Sequence, residues 1–371
     1  MNTIMKTILI MLATHFFAIS SAVQSAEPLF DNKEASFDAI FEAAEGGFND
    51  RDQQLESLWD RMEKEEAEKW QRLQKEVLQK WDGYRKTTRT HWVDYSPNRE
   101  AVSQVNFDSG EVTVEALVPV NASKEQKTQA VIDKVKTLTT KEDTDGKPIM
   151  QDQLPKEALT AIEKGEVKLT PPKIIRGKDG VERVKVGINL KLVPNHIAKR
   201  AKRYLPEVKK QAAKHQVDPA LILAIMHTES AFNPKARSHV PAYGLMQLVP
   251  RFGAKDAYQK LHGKSKVLSA DYLYKPHNNI ELGVVYLDLL ESRYFKRITD
   301  PTKRRYVAVC AYNWGPTAMN RRLLPKIDLD KFDHEALFKR LQQGVPKETR
   351  DYLERVETRR KKYAGDKVYA L

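Results

Sequence analysis

Cysteine is nearly missing: one residue in 371, Cys310, so no intramolecular disulfide can form and stability must come from burial and hydrogen bonding. A lone cysteine is expected in a core, as a small apolar residue. The nine histidines are scattered, with no HxxxH spacing and no His/Cys cluster, which speaks against a metal site and against any metal cofactor. Zinc-finger spacing, a phosphate-binding glycine loop and an aromatic-basic strand signature are all lacking. Nucleic acid is therefore a poor candidate partner, although the formal net charge of +13 would suit an acidic polymer or an anionic surface. Internal repeats and low-complexity linkers are absent too. Past the start of the chain, no apolar run approaches the ~20 residues of a membrane span.

The beginning of the chain is different. Lys6 precedes apolar stretches at residues 8–13 and 16–19, broken at Thr14 and His15, and small residues follow over residues 20–26. This is the pattern of a secretory signal peptide over residues 1–26, cleaved after Ala22 or Ala26. Export to the periplasm is the expectation. With no cysteine near the cleavage region for a lipid to attach to, no stable membrane anchor is expected.

The rest of the chain changes its periodicity once. Residues 50–81 read as a charged helix with a stripe of Leu55, Leu58 or Trp59, Met62, Trp70, Leu73, Val77 and Trp81, expected to pack on its own domain rather than in a coiled-coil dimer. Residues 102–107 and 111–118 read as two strands joined by Asp108-Ser109-Gly110, a hairpin signal in which glycine supplies the positive φ. Helices are expected over 121–138 and 155–164, and a strand where Val184, Val186, Ile188, Leu190 and Leu192 alternate with polar or small residues up to Pro194. Beyond Pro194 the apolar period switches from two to 3.6. Helices are expected over 197–216, from Asp218-Pro219, over 279–294, from Asp300-Pro301, and from Pro346, aspartate before proline being an N-cap ahead of a first-turn proline. The expected class is α+β: an N-terminal helical and β-containing accessory domain at 27–193, then an all-α domain at 194–371.

One carboxylate stands out. Ile222, Ile225, Met226 and Glu229 occur at i, i+3, i+4 and i+7, so Glu229 continues the inward stripe of a helix that is apolar on every side. At a helix C-terminus, among apolar neighbours, its pKa should rise, as a general acid at neutral pH requires. Periodicity alone leaves equally open a glutamate that turns outward or pairs with Lys235 or Arg237.

Further along, five short words occur in order: Glu229-Ser230-Ala231-Phe232-Asn233-Pro234; Ala236-Arg237-Ser238; Gly244-Leu245-Met246-Gln247; Ala311-Tyr312-Asn313-Trp314-Gly315; and Glu348-Thr349-Arg350-Asp351-Tyr352. Together they resemble the lytic transglycosylase domain related to goose-type lysozymes. The stretch from Val105 to Val114 and the junction Leu192-Val193-Pro194-Asn195-His196 resemble, more narrowly, the membrane-bound lytic murein transglycosylase C group. That group carries a lipid-attachment cysteine that this chain lacks, and a small residue is usual where Trp314 stands.

The resemblance implies a lysozyme-like catalytic domain with a saccharide cleft and no cofactor. Glu229 matches the catalytic acid. Ser238 matches a serine that hydrogen-bonds near the cleavage site, and Met246 and Gln247 fall in the loop lining the groove. Tyr312 matches a tyrosine facing the acid, Glu348 a cleft carboxylate. Asn313 and Tyr352 read as structural, and His227 as projecting to another face. The implied activity is non-hydrolytic cleavage of the MurNAc–GlcNAc bond of peptidoglycan to 1,6-anhydromuramoyl ends. Its rivals are a hydrolytic muramidase and a non-catalytic peptidoglycan-binding scaffold. Peptidoglycan strands are the expected partner, and the accessory domain leaves room for a second cell-envelope protein.

Overall fold

A computed structural model describes the backbone of residues 35–366, with side chains from residue 53; the leader expected over residues 1–26 lies outside the described residues. The chain divides into two compact units, Met1–Asp60 and Arg61–Leu371. Helix α1, Ala35–Lys80, begins earlier than the apolar stripe indicated.

Within the second unit, β1 (His91–Tyr95), β2 (Ala101–Asn106), β3 (Glu111–Val118), β4 (Lys173–Arg176) and β5 (Glu182–Lys191) form a sheet in the order β1-β2-β3-β5-β4. All neighbours are antiparallel, with Val105 opposite Val112 and Val114 opposite Ile188. The alternating side chains expected for β2, β3 and β5 point as their period requires. On one face, Val105, Val112, Val114 and Ile188 pack with Val131, Val135 and Leu138 of α2, Lys124–Thr140. On the other, Val102, Leu117 and Ile175 pack with Val77 and Trp81 at the end of α1. Ser123 and Gln126 close a reciprocal capping box at the start of α2, three residues later than expected. A short α3, Lys156–Glu163, follows.

Strands β1 and β4 were not expected. Both lie at sheet edges, where one side of the ladder is open and the apolar alternation that betrays a half-buried strand is weak. The hairpin between β2 and β3 forms as its sequence indicates, with Gly110 at φ 75°. Glycine is needed there for a second reason: a Cβ would lie 2.9 Å from the His196 ring at the start of the next helix.

The second half is helical: α4 (His196–His215), α5 (Pro219–Ser230), α6 (Gly253–His262), α7 (Pro276–Leu289), α8 (Pro301–Trp314), α9 (His334–Gly344) and α10 (Lys347–Gly365). Mixed α+β is the observed class. Helix α5 is the axis of this half, with Ala220 to Met226 buried on every side. Tyr352, Leu353 and Val356 of α10 share its core, and Cys310 is buried in the same core as a free thiol.

A buried arginine joins the sheet to the helices. Arg200 of α4 donates from Nε to the Ala231 carbonyl at 3.1 Å, from Nη1 to Gln153 Oε1 at 2.6 Å and from Nη2 to the Phe107 carbonyl at 2.5 Å, its guanidinium 4.7 Å from the Phe107 ring centre. Burial lowers its pKa to about 9, so the charge persists at neutral pH. Removing a buried, fully engaged charge strands its acceptors. Arg200→Met should therefore lower the unfolding free energy by about 3 kcal/mol in urea titrations; a loss below about 1 kcal/mol would show the staple to be dispensable.

Candidate active site

The Asp218 carboxylate accepts from the Ala220 N–H at 2.8 Å and Pro219 opens the first turn, which fixes where α5 begins. Its end is equally defined. Ala231 and Phe232 both take positive φ, 49° and 60°, and the Ala231 N–H returns to the His227 carbonyl at 3.1 Å. Glu229 is thereby held in the last turn, where the helix dipole opposes its negative charge.

The Glu229 side chain is 8% exposed. Burial, the largest influence, raises its pKa from 4.5 to about 7, against the opposing pull of the Tyr352 hydroxyl and the Arg89 and Arg355 guanidinium groups; Glu348 adds a smaller upward push. The Tyr352 hydroxyl faces the carboxyl and is buried, without completing a hydrogen bond of regular geometry. Arg89 Nη1 stands 3.8 Å from Glu229 Oε2. Neither base named from the sequence takes this place: Lys235 lies 5.7 Å from the ring centre of Tyr274, and Arg237 lies 4.9 Å from that of Trp70.

The loop bearing Gly244-Leu245-Met246-Gln247 is tied to the acid's helix by the Ser230 hydroxyl, 2.9 Å from the Met226 carbonyl and 2.7 Å from that of Leu245. Asn279, wholly buried on α7, supports it from below: Oδ1 accepts from the Met246 N–H at 2.7 Å, and Nδ2 donates to the Tyr243 and Leu273 carbonyls, each at 2.8 Å. The backbone approach is so close that a Cβ on Gly244 would meet the Leu273 oxygen at 2.5 Å.

Met246 points its side chain into the core, where a Cβ on Gly283 would lie 2.3 Å from its sulfur. What it offers the site is its carbonyl, which accepts from the Tyr312 hydroxyl at 2.9 Å. Tyr312 also borders the Glu229 carboxyl, and burial together with that neighbour raises its own pKa well above the ordinary range. Gln247, in the left-handed conformation at φ 48°, lines a cavity of about 670 Å³ with Phe252, Tyr312, Trp314, Arg321 and Arg322. Trp314 supplies an aromatic wall to this cavity.

Ser238 lies in a separate groove of about 430 Å³ that it shares with Arg89, Arg237, His239 and the threonines at 87, 88 and 90. Its hydroxyl is engaged within its own turn, donating to the Val240 carbonyl and accepting from the Ala242 N–H. Glu348 is exposed on the first turn of α10 and reaches the acid only as a repulsive charge. The adjacent Thr349 donates to Asn313 Oδ1 at 2.7 Å, linking the fourth and fifth sequence words.

Tyr352, read as structural from the sequence, sits at the acid; its spacing of four from Glu348 was the available signal. Arg89 and Asn279 carried none, since each becomes local to the site only through the tertiary fold. His227 turns away as expected, its Nδ1 at 2.9 Å from the Tyr363 hydroxyl, and burial lowers its pKa to about 3.

A family model described as "Transglycosylase SLT domain" matches residues 206–332, and one described as "Membrane-bound lytic murein transglycosylase C, N-terminal domain" matches residues 50–162. The membrane-bound lytic murein transglycosylase C of Klebsiella pneumoniae (strain 342) is 36% identical over 251 residues, covering 62% of this chain and 68% of that protein. Its namesake from Serratia proteamaculans (strain 568) is 35% identical over 249 residues, with the same shares covered. Among solved structures, the lytic transglycosylase Slt of Pseudomonas aeruginosa, in an inactive mutant form, is 29% identical at a TM-score of 0.36, covering 43% of this chain and 23% of that one. The 70 kDa soluble lytic transglycosylase of Escherichia coli is 26% identical at a TM-score of 0.36, covering 45% and 25%.

The raised pKa has a consequence for stability. A carboxyl whose pKa is higher folded than unfolded stabilises the fold below its unfolded value, and that contribution is lost as pH rises through the folded value, here from 4.5 to about 7. Glu229→Gln should therefore be more stable than the wild type at pH 8, by on the order of 3 kcal/mol at most, with a much smaller difference at pH 4. Urea unfolding at the two pH values measures it; a difference independent of pH would contradict the buried, raised carboxyl.

Proposed function

Because the chain belongs to the membrane-bound lytic murein transglycosylase C family and is a peptidoglycan lytic transglycosylase, we propose that Glu229 performs its chemistry alone, first as acid and then as base. The observation that carries this is one buried carboxyl with a pKa raised to about 7, at the end of an apolar helix between Tyr312 and Tyr352.

Ordinary glycosidases pair two carboxylates, the second serving as nucleophile or as base for water. Glu348 is poorly suited to that second part, being exposed on α10. Substrate assistance removes the need for it. The Glu229 carboxyl gives its proton to the oxygen linking N-acetylmuramic acid to N-acetylglucosamine, and the bond from that oxygen to the muramoyl C1 breaks. The carboxylate then takes the proton of the muramoyl C6 hydroxyl as the C6 oxygen bonds to C1. The product is a 1,6-anhydromuramoyl end, Glu229 is again protonated, and no water is consumed. An attack within one sugar ring gains from high effective molarity.

The proposed supporting roles follow from placement. Tyr312, anchored on the Met246 carbonyl, fixes one wall at the acid; Gln247 and Trp314 line the cavity in which a saccharide would lie; Ser238 lines the groove on the Arg89 side. Residues 194–371 are the catalytic module of this proposal and residues 27–193 the accessory one. Export by a cleaved leader to the periplasm is proposed from residues 1–26; among the described residues no helix is long and apolar enough to cross a membrane.

Digestion of purified sacculi should release fragments with anhydromuramoyl ends, each lighter by one water than a hydrolysed end, as read by mass spectrometry. Glu229→Gln should slow that release by about 10²–10⁴-fold. Hydrated reducing ends alone would make the enzyme a muramidase, and an undiminished rate in the variant would remove Glu229 from the chemistry.

A further inference from the structure

The groove holding Ser238 is built from two distant parts of the chain. One wall is residues 237–239, just past the acid's helix; the other is residues 86–90, inside the stretch matched by the N-terminal domain model. The second wall is braced internally. The Thr87 hydroxyl accepts from the Val93 N–H at 3.1 Å, the Thr88 hydroxyl from the His91 N–H at 3.1 Å, and the Thr90 carbonyl from the Phe107 N–H at 2.8 Å. It is braced externally as well. Asn233, four residues past the acid, donates from Nδ2 to the Arg89 carbonyl at 3.2 Å, and the Arg237 N–H donates to the Thr88 carbonyl at 3.3 Å. The backbone on both sides of Arg89 is thus pinned to the segment that follows α5, while its side chain is left to reach the acid, ending 3.8 Å from Glu229 Oε2.

Such bracing fixes the backbone from which the Arg89 side chain holds a charge beside the carboxyl. Fixed cationic groups beside a carboxyl that must ionise during a reaction favour the ionised form without needing to reorganise. We propose that Arg89 is the electrostatic partner that receives the negative charge left on Glu229 when it gives up its proton, a positioning residue supplied to the acid from outside the catalytic helices. This rests on Glu229 being the acid. The N-terminal segment then has a direct part in the chemistry: without it the acid would face Arg355 and Glu348 of α10, with Tyr352 of α10 and Tyr312 of α8 as its remaining polar neighbours.

The test uses the full chain and purified sacculi, with the rate of soluble fragment release followed across pH for the wild type, Arg89→Gln, Arg89→Lys and Glu229→Gln. An acid must be protonated to act, so the rate falls as pH rises through its pKa. Loss of Arg89 makes the carboxyl harder to ionise. In Arg89→Gln the alkaline limb should move to higher pH by roughly half a unit or more, while the low-pH plateau falls about three- to tenfold because the acid is weaker. Arg89→Lys should restore the limb. Carbon-13 NMR titration of the glutamate carboxyls in the unliganded protein should show the same displacement of the Glu229 midpoint, independently of turnover. A lower plateau with an unmoved limb and midpoint in Arg89→Gln would overturn the inference while leaving Glu229 as the acid. Full activity in Glu229→Gln would instead overturn the acid assignment, and the inference with it.

Discussion

A carboxyl group placed in an apolar interior, at the end of a helix whose dipole repels negative charge, is held at a disadvantage that only its surroundings can sustain. The helical half of the protein is arranged to sustain it. Helix α5 is apolar on every side because it must be enclosed on every side, and that enclosure desolvates Glu229. The helix stops at Ser230, one residue after Glu229, through two consecutive left-handed residues, so the carboxyl cannot swing outward with a continuing turn. Two tyrosines from separate helices then close over it.

The supports of the site are mostly backbone contacts. Tyr312 is fixed by a carbonyl, Met246 by an asparagine that reads three peptide groups, Ser230 by the carbonyl of a neighbouring loop. Side chains that engage backbone in this way set the path of a loop regardless of what the loop's own side chains do. That explains why Met246 can belong to the loop beside Glu229 and Tyr312 and yet bury its side chain against Gly283.

Much of this was legible in the sequence where the cause is local. The caps at Asp218 and Asp300, the Gly110 hairpin and the inward stripe ending at Glu229 all depend on residues within a few positions of one another, and all appear as expected. Edge strands β1 and β4 were missed because an edge needs little apolar alternation. At the site, periodicity left Glu229 equally open between the inward stripe and a residue turned outward or paired with Lys235 or Arg237, which are near in sequence; the carboxyl is buried and neither base meets it. The observed partner, Arg89, comes from a turn ahead of β1, and nothing in its neighbourhood announces that role. Ser238 and Glu348 were expected close to the chemistry; the first lies in a neighbouring groove with its hydroxyl already engaged, and the second is exposed at the edge.

The passage from sheet to helices takes only the residues between Lys191 and His196, Pro194 among them. The Leu192 N–H is bound to the Gly110 carbonyl, that of Val193 to Gln153 and that of His196 to Val193, and Arg200 then locks the start of α4 to both sides. A connection so fully bonded stores no slack. It holds the hairpin carrying Phe107 and Gly110, the Gln153 segment and the residue that ends α5 at one fixed spacing, so a change made on the sheet side is felt at the end of the acid's helix.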